Sequence, residues 1–377
     1  MRISQLQQRL QELGCKPCHE DRLLRGWCQV CSYDRKGSPA ETFFPLALRN
    51  ELPVIEAELH GLARLYGEYP ADENVARLLV KLSDGQMMES VLLPRGGLCV
   101  STQVGCAVGC VFCMSGRNGL IRQLGSAEIV AQVVLARRRR AVSKVVFMGM
   151  GEPAHNLDNV LEAIELLGTQ GNIGHKNLVL STVGDARVFE RLMERCEPQT
   201  GTRKESVRRS RAGGSPVNQT NRIPACAEMT DSPSVKSTLV RPALALSLHS
   251  TDAALRARLL PHAPQITIEE LAERAEVYAR ATGYPVQYQW TLIEGVNDSD
   301  SEVAGIARLL SEKYAVMNFI PFNEVDGLSC RRPSAERVAV MVEALRQHGI
   351  LAKVRDSAGQ EIEGACGQLR ARAVRIG

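Results

Sequence analysis

The sequence predicts an α/β fold, a partial (β/α)6 barrel with a small N-terminal helical accessory domain. Three observations carry that prediction. From Leu98 onward, short apolar runs alternate six times with helical patterns. Small or polar residues stand at or just beyond the C-terminal ends of five of those runs, where barrels of this kind collect their ligands. Directly after the first run come three cysteines, Cys106, Cys110 and Cys113, in a C-x3-C-x2-C spacing.

The accessory domain is expected over residues 1–75 and the barrel over 76–377. Residues 2–13 set Ile3, Leu6, Leu10 and Leu13 at helical spacing, and Gly14 stands where such a helix would end. A second amphipathic piece covers about 20–31, with Leu23, Leu24 and Trp27 apolar. Cys15, Cys18, Cys28 and Cys31 form C-x2-C-x9-C-x2-C here, which reads either as a zinc site or as core thiols beside Trp27. Residues 47–85 are mixed in pattern. Leu78–Leu82 and Met88–Leu93 read as strands around the turn Ser83-Asp84-Gly85.

In the barrel, strands are expected at 98–104, 144–149, 177–182, 243–249, 285–293 and 315–321, with a last one around 351–355. Helices are expected at 126–139, 157–168, 185–195, 267–281, 300–314 and 334–348. Thr267 and Glu270 fit a capping box at the start of the fourth. Six such units imply a parallel sheet. Residues 197–241 interrupt the alternation with Ser, Thr, Arg, Gly, Pro and Asn and almost no periodicity, the composition of a disordered insert. A basic RNA-binding arm is the sharper reading of the same stretch. Its flanking and internal Cys196 and Cys226 are expected to carry no chemistry.

With 44% hydrophobic and 23% charged residues in 377, the chain is ordinary for a soluble globular protein. A net charge of +4 permits nucleic-acid binding without arguing for it, because no contiguous region is overwhelmingly cationic. The one dense basic run, Arg137–Arg140, ends a helix and reads as a solvated helix end. Arg117, Arg122, Arg331, Arg332 and Arg355 are expected in loops that face the barrel mouth, better placed for phosphate contacts. Twelve cysteines with no secretory leader and no bilayer-spanning apolar run point to metal ligands or catalytic thiols in a cytoplasmic enzyme with no membrane partner.

Three thiolates on one tight loop can each hold an iron of a cubane cluster and leave the fourth iron open. Gly105 and Gly109 suit a backbone wrapped closely around a bulky core. Three structural thiols, or three quarters of a zinc site, are the alternatives.

Leu-Cys-Val-Ser-Thr-Gln-Val-Gly-Cys (98–106), Val-Phe-Met-Gly-Met-Gly-Glu-Pro (146–153), Ser-Leu-His (247–249), Ile-Pro-Phe-Asn (320–323) and Ala-Cys-Gly-Gln-Leu (365–369) occur in that order. Together they resemble the RlmN/Cfr family of radical S-adenosylmethionine rRNA (adenine) methyltransferases. The resemblance implies a 4Fe-4S cluster on Cys106, Cys110 and Cys113, and S-adenosylmethionine held by Gly151, Glu152, Ser181, Ser247, Leu248, His249 and Asn323. It further implies that Cys366 accepts a methyl group from one S-adenosylmethionine. A 5′-deoxyadenosyl radical from a second molecule would then activate that methyl group for addition to an adenine carbon, C2 or C8. Cys99 would release the product through a transient disulfide, and Glu89 would accept a proton. The implied partners are RNA, rRNA first and tRNA second, and an electron donor such as flavodoxin. Two rival readings are a radical enzyme acting on a peptide or small molecule, and a non-catalytic Fe-S RNA-binding protein.

Overall fold

A computed structural model describes residues 1–72, 74–197, 239–323 and 328–355. Most of the expected insert, and Cys366, lie outside the described residues. Four helices lead the chain: α1 Ile3–Glu12, α2 Pro17–Gln29, α3 Ala40–Phe43 and α4 Leu46–Gly61. Four strands follow: β1 Ala63–Asp72, β2 Val75–Leu82, β3 Met87–Leu93 and β4 Gly97–Cys99. The short strands β5 Gln103–Gly105 and β6 Leu120–Gln123 flank the cysteine loop. Helix and strand then alternate through α5 Ser126–Arg137, β7 Lys144–Phe147, α6 Leu157–Gly168, β8 Leu178–Thr182, α7 Ala186–Glu194 and β9 Ala243–Ser247. The chain continues through α8 Ala253–Leu259, α9 Ile268–Thr282, β10 Val286–Leu292, α10 Asp300–Leu310, β11 Ala315–Pro321, α11 Ala335–Gln347 and β12 Ala352–Val354.

One ten-stranded sheet takes the order β1-β2-β3-β4-β7-β8-β9-β10-β11-β12. From β4 through β12 each neighbouring pair runs parallel, so the expected α/β architecture is present. At its other edge β1, β2 and β3 continue the sheet as an antiparallel meander. The Ser83–Gly85 turn joins β2 to β3 as expected, whereas β1 was not expected at all. Its pattern is broken by Gly67 and Pro70, and the register slips at both places. Proline is tolerated there because β1 is an edge strand. Helix α4 carries Pro53 in its interior, and α8 has seven residues, too few to show a period. Thr267 caps α9 through its hydroxyl, but Glu270 turns to Arg274 (2.8 Å) instead of closing a capping box.

The expected strand 98–104 is broken in two. After Cys99 the chain leaves the sheet, and Gln103–Gly105 pairs with β6 in a separate two-stranded sheet that brackets the cysteine loop. Gly105 has φ +84°, and a Cβ there would lie 2.1 Å from the Gly119 carbonyl oxygen. Both the conformation and the close approach require glycine.

The two faces of the main sheet differ. Leu98, Val145, Phe147, Leu178, Leu180, Leu244, Leu246, Trp290 and Phe319 belong to the large apolar cluster shared with the helices. Val91, Cys99, Val146, Val179, Ala243 and Ala245 alternate with these and form a smaller cluster on the inner face. Leu6, Leu10, Leu23, Leu24 and Trp27 of α1 and α2 join the large cluster. No described helix is long and apolar enough to cross a membrane.

The arginine run is not a solvated helix end. Arg137 donates to the carbonyls of Cys28 and Gly171 (both 2.7 Å) and of Val142 (3.3 Å). Arg139 pairs with Glu68 on β1, and Arg140 donates to the carbonyls of Gly97 (2.9 Å), Asn74 (2.9 Å) and Leu93. The run thus ties α2 and the antiparallel strands to the end of α5. Arg138 alone of the four is exposed without a hydrogen bond among the described residues. Arg137→Met should strand three carbonyls and lower stability by about 2–4 kcal/mol. Arg138→Met should stay within about 0.5 kcal/mol of wild type. Urea unfolding of both variants checks this contrast.

Candidate active site

Each residue of the site is set by a strand end or the loop beyond it. The Ser101–Gln103 segment lies against the loop after β7: Thr102 and Gln103 donate their backbone N–H to the Met150 carbonyl (2.9 and 3.2 Å), and Met150 N–H donates to Ser101 Oγ (2.9 Å). Gln103 Oε1 accepts from the Glu152 N–H (2.9 Å). Gly151 makes this possible, since it has φ +101° and a Cβ would strike the Gln103 side chain at 2.6 Å. Behind them the wholly buried Gln132 of α5 holds both backbone groups of Ser101 (2.8 Å each) and accepts from Ser90 (2.7 Å).

These elements enclose a cavity of about 210 Å³. Cys106, Cys110 and Cys113 line it together with Gly151, Glu152, Ser181, Ser247 and His249. Three thiols and five expected cofactor-binding residues, from separate segments of chain, therefore share one space. Leu248 is wholly buried and does not line it. Asn323 does not line it either. Its Oδ1 accepts from Arg332 (3.2 Å), while its buried Nδ2 has no partner. Cys99 and Glu89 are buried outside the cavity, on β4 and β3. Ser101 Oγ donates to the Glu89 carbonyl (2.6 Å).

Sequence reasoning missed Gln289 and Thr291 of β10, which also line the cavity. The signal was present. Gln287, Gln289 and Thr291 alternate with Tyr288, Trp290 and Leu292 in a strand buried on both sides, where polar residues call for a reason. Thr291 N–H donates to His249 Nδ1 (2.9 Å), and the Phe112 ring lies 4.8 Å from the His249 ring. His249 has φ +63°, and its carbonyl accepts from the buried Asn297 Nδ2 (2.7 Å). Burial pushes the His249 pKa down to about 3, so at neutral pH the ring is uncharged. With Nδ1 occupied as an acceptor, its proton sits on Nε2.

Burial, with Cys113 and Glu152 adding, pushes the Cys106 thiol up to about 11. Burial and then Cys113 and Cys106 push Cys110 well above the ordinary thiol range. Cys106 and Cys110 therefore stay protonated until a metal displaces their protons. Glu152 accepts from the Ala154 N–H (3.1 Å) and the Val183 N–H (3.0 Å), yet burial still raises its pKa to about 7. A buried carboxyl and three clustered thiols are an environment built to receive a metal and a cationic ligand.

Several expectations fall away. Among the described residues no three or more His, Cys, Asp or Glu are placed to hold one metal ion, which removes the zinc reading of Cys15, Cys18, Cys28 and Cys31. A cubane differs in spreading its thiolates over separate irons. No disulfide is seen among the described residues. The partner expected for Cys99, Cys366, lies outside the described residues. Arg122 is held by Glu128 (2.8 Å) and Asp84 (2.6 Å), and Arg331 by Glu294 (3.0 Å), so neither is available as the expected phosphate contact.

Residues 100–198 match the Radical SAM superfamily. A protein named a probable RNA methyltransferase from Azoarcus sp. (strain BH72) is 60% identical, over 100% of this chain and 96% of its own length. One so named from Pseudomonas aeruginosa (strain UCBPP-PA14) is 58% identical, over 99% and 96%. The crystal structure of a radical SAM methyltransferase from Sphaerobacter thermophilus superposes with a TM-score of 0.73 at 30% identity, covering 98% of this chain and 97% of that one.

The Glu152 shift has a consequence for stability. Because the folded-state pKa is raised, the native protein holds a proton that the unfolded chain releases between about pH 4.5 and 7. Stability of the cofactor-free protein should therefore fall by about 3 kcal/mol as pH rises through that window. In Glu152→Gln that fall should be absent. Urea unfolding of both proteins at pH values across the window tests it, and parallel slopes would show that the carboxyl is not desolvated.

Proposed function

Because the chain belongs to the radical SAM methyltransferases that these relatives represent, we propose that it methylates a ring carbon of adenine, C2 or C8, in RNA, with rRNA as the leading substrate class. Its cofactors are a 4Fe-4S cluster and S-adenosylmethionine, as throughout the superfamily. The observation that carries the proposal is the single cavity lined by Cys106, Cys110, Cys113, Gly151, Glu152, Ser181, Ser247 and His249. The RNA assignment is supported by the names of the full-length relatives.

The residues present fit both groups. Cys106, Cys110 and Cys113 would hold three irons and leave the fourth for S-adenosylmethionine. When bound, the pair supplies the one-electron chemistry needed to activate a C–H bond, and polar methyl transfer to an electron-poor aromatic carbon has no equivalent. Glu152 would bind the amino group of S-adenosylmethionine through a charge-assisted hydrogen bond, which offsets the cost of its buried charge. Neutral His249 offers a fixed N–H donor and Ser181 and Ser247 offer hydroxyls, while Leu248 and Asn323, expected to join them, stand off the cavity lining.

Cys366 takes a methyl group from one S-adenosylmethionine as a thioether, the new sulfur–carbon bond forming as the donor's sulfonium–methyl bond breaks, S-adenosylhomocysteine leaves and the thiol gives up its proton. After that carbon has joined the base, Glu89 accepts the ring proton. The Cys99 thiolate attacks the Cys366 sulfur, forming the S–S bond as the sulfur–carbon bond breaks, and the freed carbon keeps the electron pair and takes up a proton to complete the methyl group of the product. An electron donor such as flavodoxin serves the cluster, and a cytoplasmic setting suits its oxygen sensitivity.

Replacing Cys106, Cys110 or Cys113 by Ala should abolish both cluster assembly and cleavage of S-adenosylmethionine, read as iron content and 5′-deoxyadenosine yield. Any one of them turning over at the wild-type rate would remove the cluster assignment. Cys366→Ala should keep the cluster and lose protein methylation, whereas Cys99→Ala should accumulate RNA covalently attached to Cys366. Mass spectrometry of nucleosides from cells with and without the gene identifies the methylated carbon. An unchanged methyladenosine profile would overturn the proposed reaction.

A further inference from the structure

Ser247 on β9, Gln289 on β10, Asn318 on β11 and Lys353 on β12 stand in one cross-strand row on the inner face of the sheet. Ser247 and Gln289 line the cavity. The row then leaves the cavity and ends among cations, about 14 Å from Ser247 at roughly 4.8 Å per strand. Arg355, two residues after Lys353, donates from Nε to Asn318 Oδ1 (3.0 Å) and from Nη2 to Gln287 Oε1 (3.3 Å). Lys144 opens β7, five strands from β12 in the sheet order. It shares the inner face with Val146, two residues further along β7. Burial first, then Arg355 and Lys353, lowers the Lys144 pKa from its ordinary value.

Among the described residues, none of these three cations has an acidic partner. Asn318 is wholly buried, with its Oδ1 taken by Arg355 and its Nδ2 donor unpartnered. Unpaired like charges gathered around an orphaned buried donor are unfavourable in isolation. An anion rich in acceptor oxygens answers both terms at once, and a neutral or cationic ligand answers neither. Phosphate is such an anion. The row of polar side chains runs from this group directly to the cofactor cavity, over a length comparable with one nucleotide.

We propose that Lys144, Lys353, Arg355 and Asn318 Nδ2 form an anion site on the inner face of the sheet at its exposed β12 edge, which takes a backbone phosphate of the RNA beside the base presented to the cavity. This rests on the RNA reading above. The site would set how deep the nucleotide enters, since phosphate contacts position a substrate without reading its base.

The test uses full-length, cluster-loaded protein carrying K144Q or K353Q, titrated with a short fluorescent adenosine-containing RNA oligonucleotide over a range of salt. Each variant should bind the RNA several-fold more weakly at low salt, and its log–log salt slope should shrink by about 0.7, the value for one lost contact on a single strand. S-adenosylmethionine affinity by equilibrium dialysis should not change, and R138Q should keep the wild-type RNA slope. Wild-type slopes in both lysine variants would overturn the site while leaving the RNA reading intact. Weaker binding of inorganic phosphate with unchanged RNA binding would mean that the site serves a free anion, and its assignment to an RNA phosphate would be wrong. If wild-type protein fails to bind RNA, the functional reading fails and this site fails with it.

Discussion

The short strap between Ser101–Gln103 and Met150–Glu152 is the contact on which the site depends. On leaving the sheet after Cys99, the chain gives up its strand partners, and its buried N–H groups need others. The Met150 carbonyl and Gln132 Oε1 supply them, the Ser101 hydroxyl accepts the Met150 N–H in return, and Gln103 then fixes the backbone of Glu152. One set of hydrogen bonds thereby positions the start of the cysteine loop and the acidic loop relative to each other. Gln132 makes the strap rigid from behind with all of its own polar atoms satisfied, which is the condition under which a buried polar network stabilises a structure.

The opposite wall is held by strain and its compensation. His249 adopts a left-handed backbone that costs a non-glycine residue about 1–3 kcal/mol. Asn297, itself fully buried, spends both of its amide hydrogens on the His249 and Thr291 carbonyls, and its Oδ1 accepts from the Ile293 N–H. The conformation turns the imidazole toward the cavity, while burial keeps it neutral. Glu152 and His249 thus face a common space with opposite tendencies: burial holds a proton on the carboxyl and keeps the second proton off the ring.

Charge in this protein is spent mainly on structure. Arg137, Arg139 and Arg140 saturate carbonyls and carboxylates where α2, β1 and the β3–β4 turn meet α5. Arg122 is half-buried against two acids. Against that background the half-buried Lys144 and the exposed Lys353 and Arg355 lie on the inner face with no acidic partner among the described residues.

The alternation from Leu98 onward, the cysteine spacing and the order of five motifs were legible in the sequence by itself. They are local properties: a period of two or 3.6 residues, or ligands a few residues apart on one loop. They sufficed for the α/β class, for the cofactor type and for three thiols and five further residues of the cavity lining. Tertiary structure decided what depends on distant partners. The Leu98–Val104 run looks continuous yet splits, because Met150 competes for its backbone groups. Arg137–Arg140 resembles a solvated helix end yet is consumed by carbonyls as distant in sequence as Cys28. Strand β1, interrupted by Gly67 and Pro70, exists because β2 offers it an edge. Gln289 and Asn318 are plain amides in the sequence, and only the register of β9 to β12 puts them in one row. The physical reason is common to all four: hydrogen-bond partners and electrostatic neighbours are chosen by proximity in the folded chain, which no local pattern records.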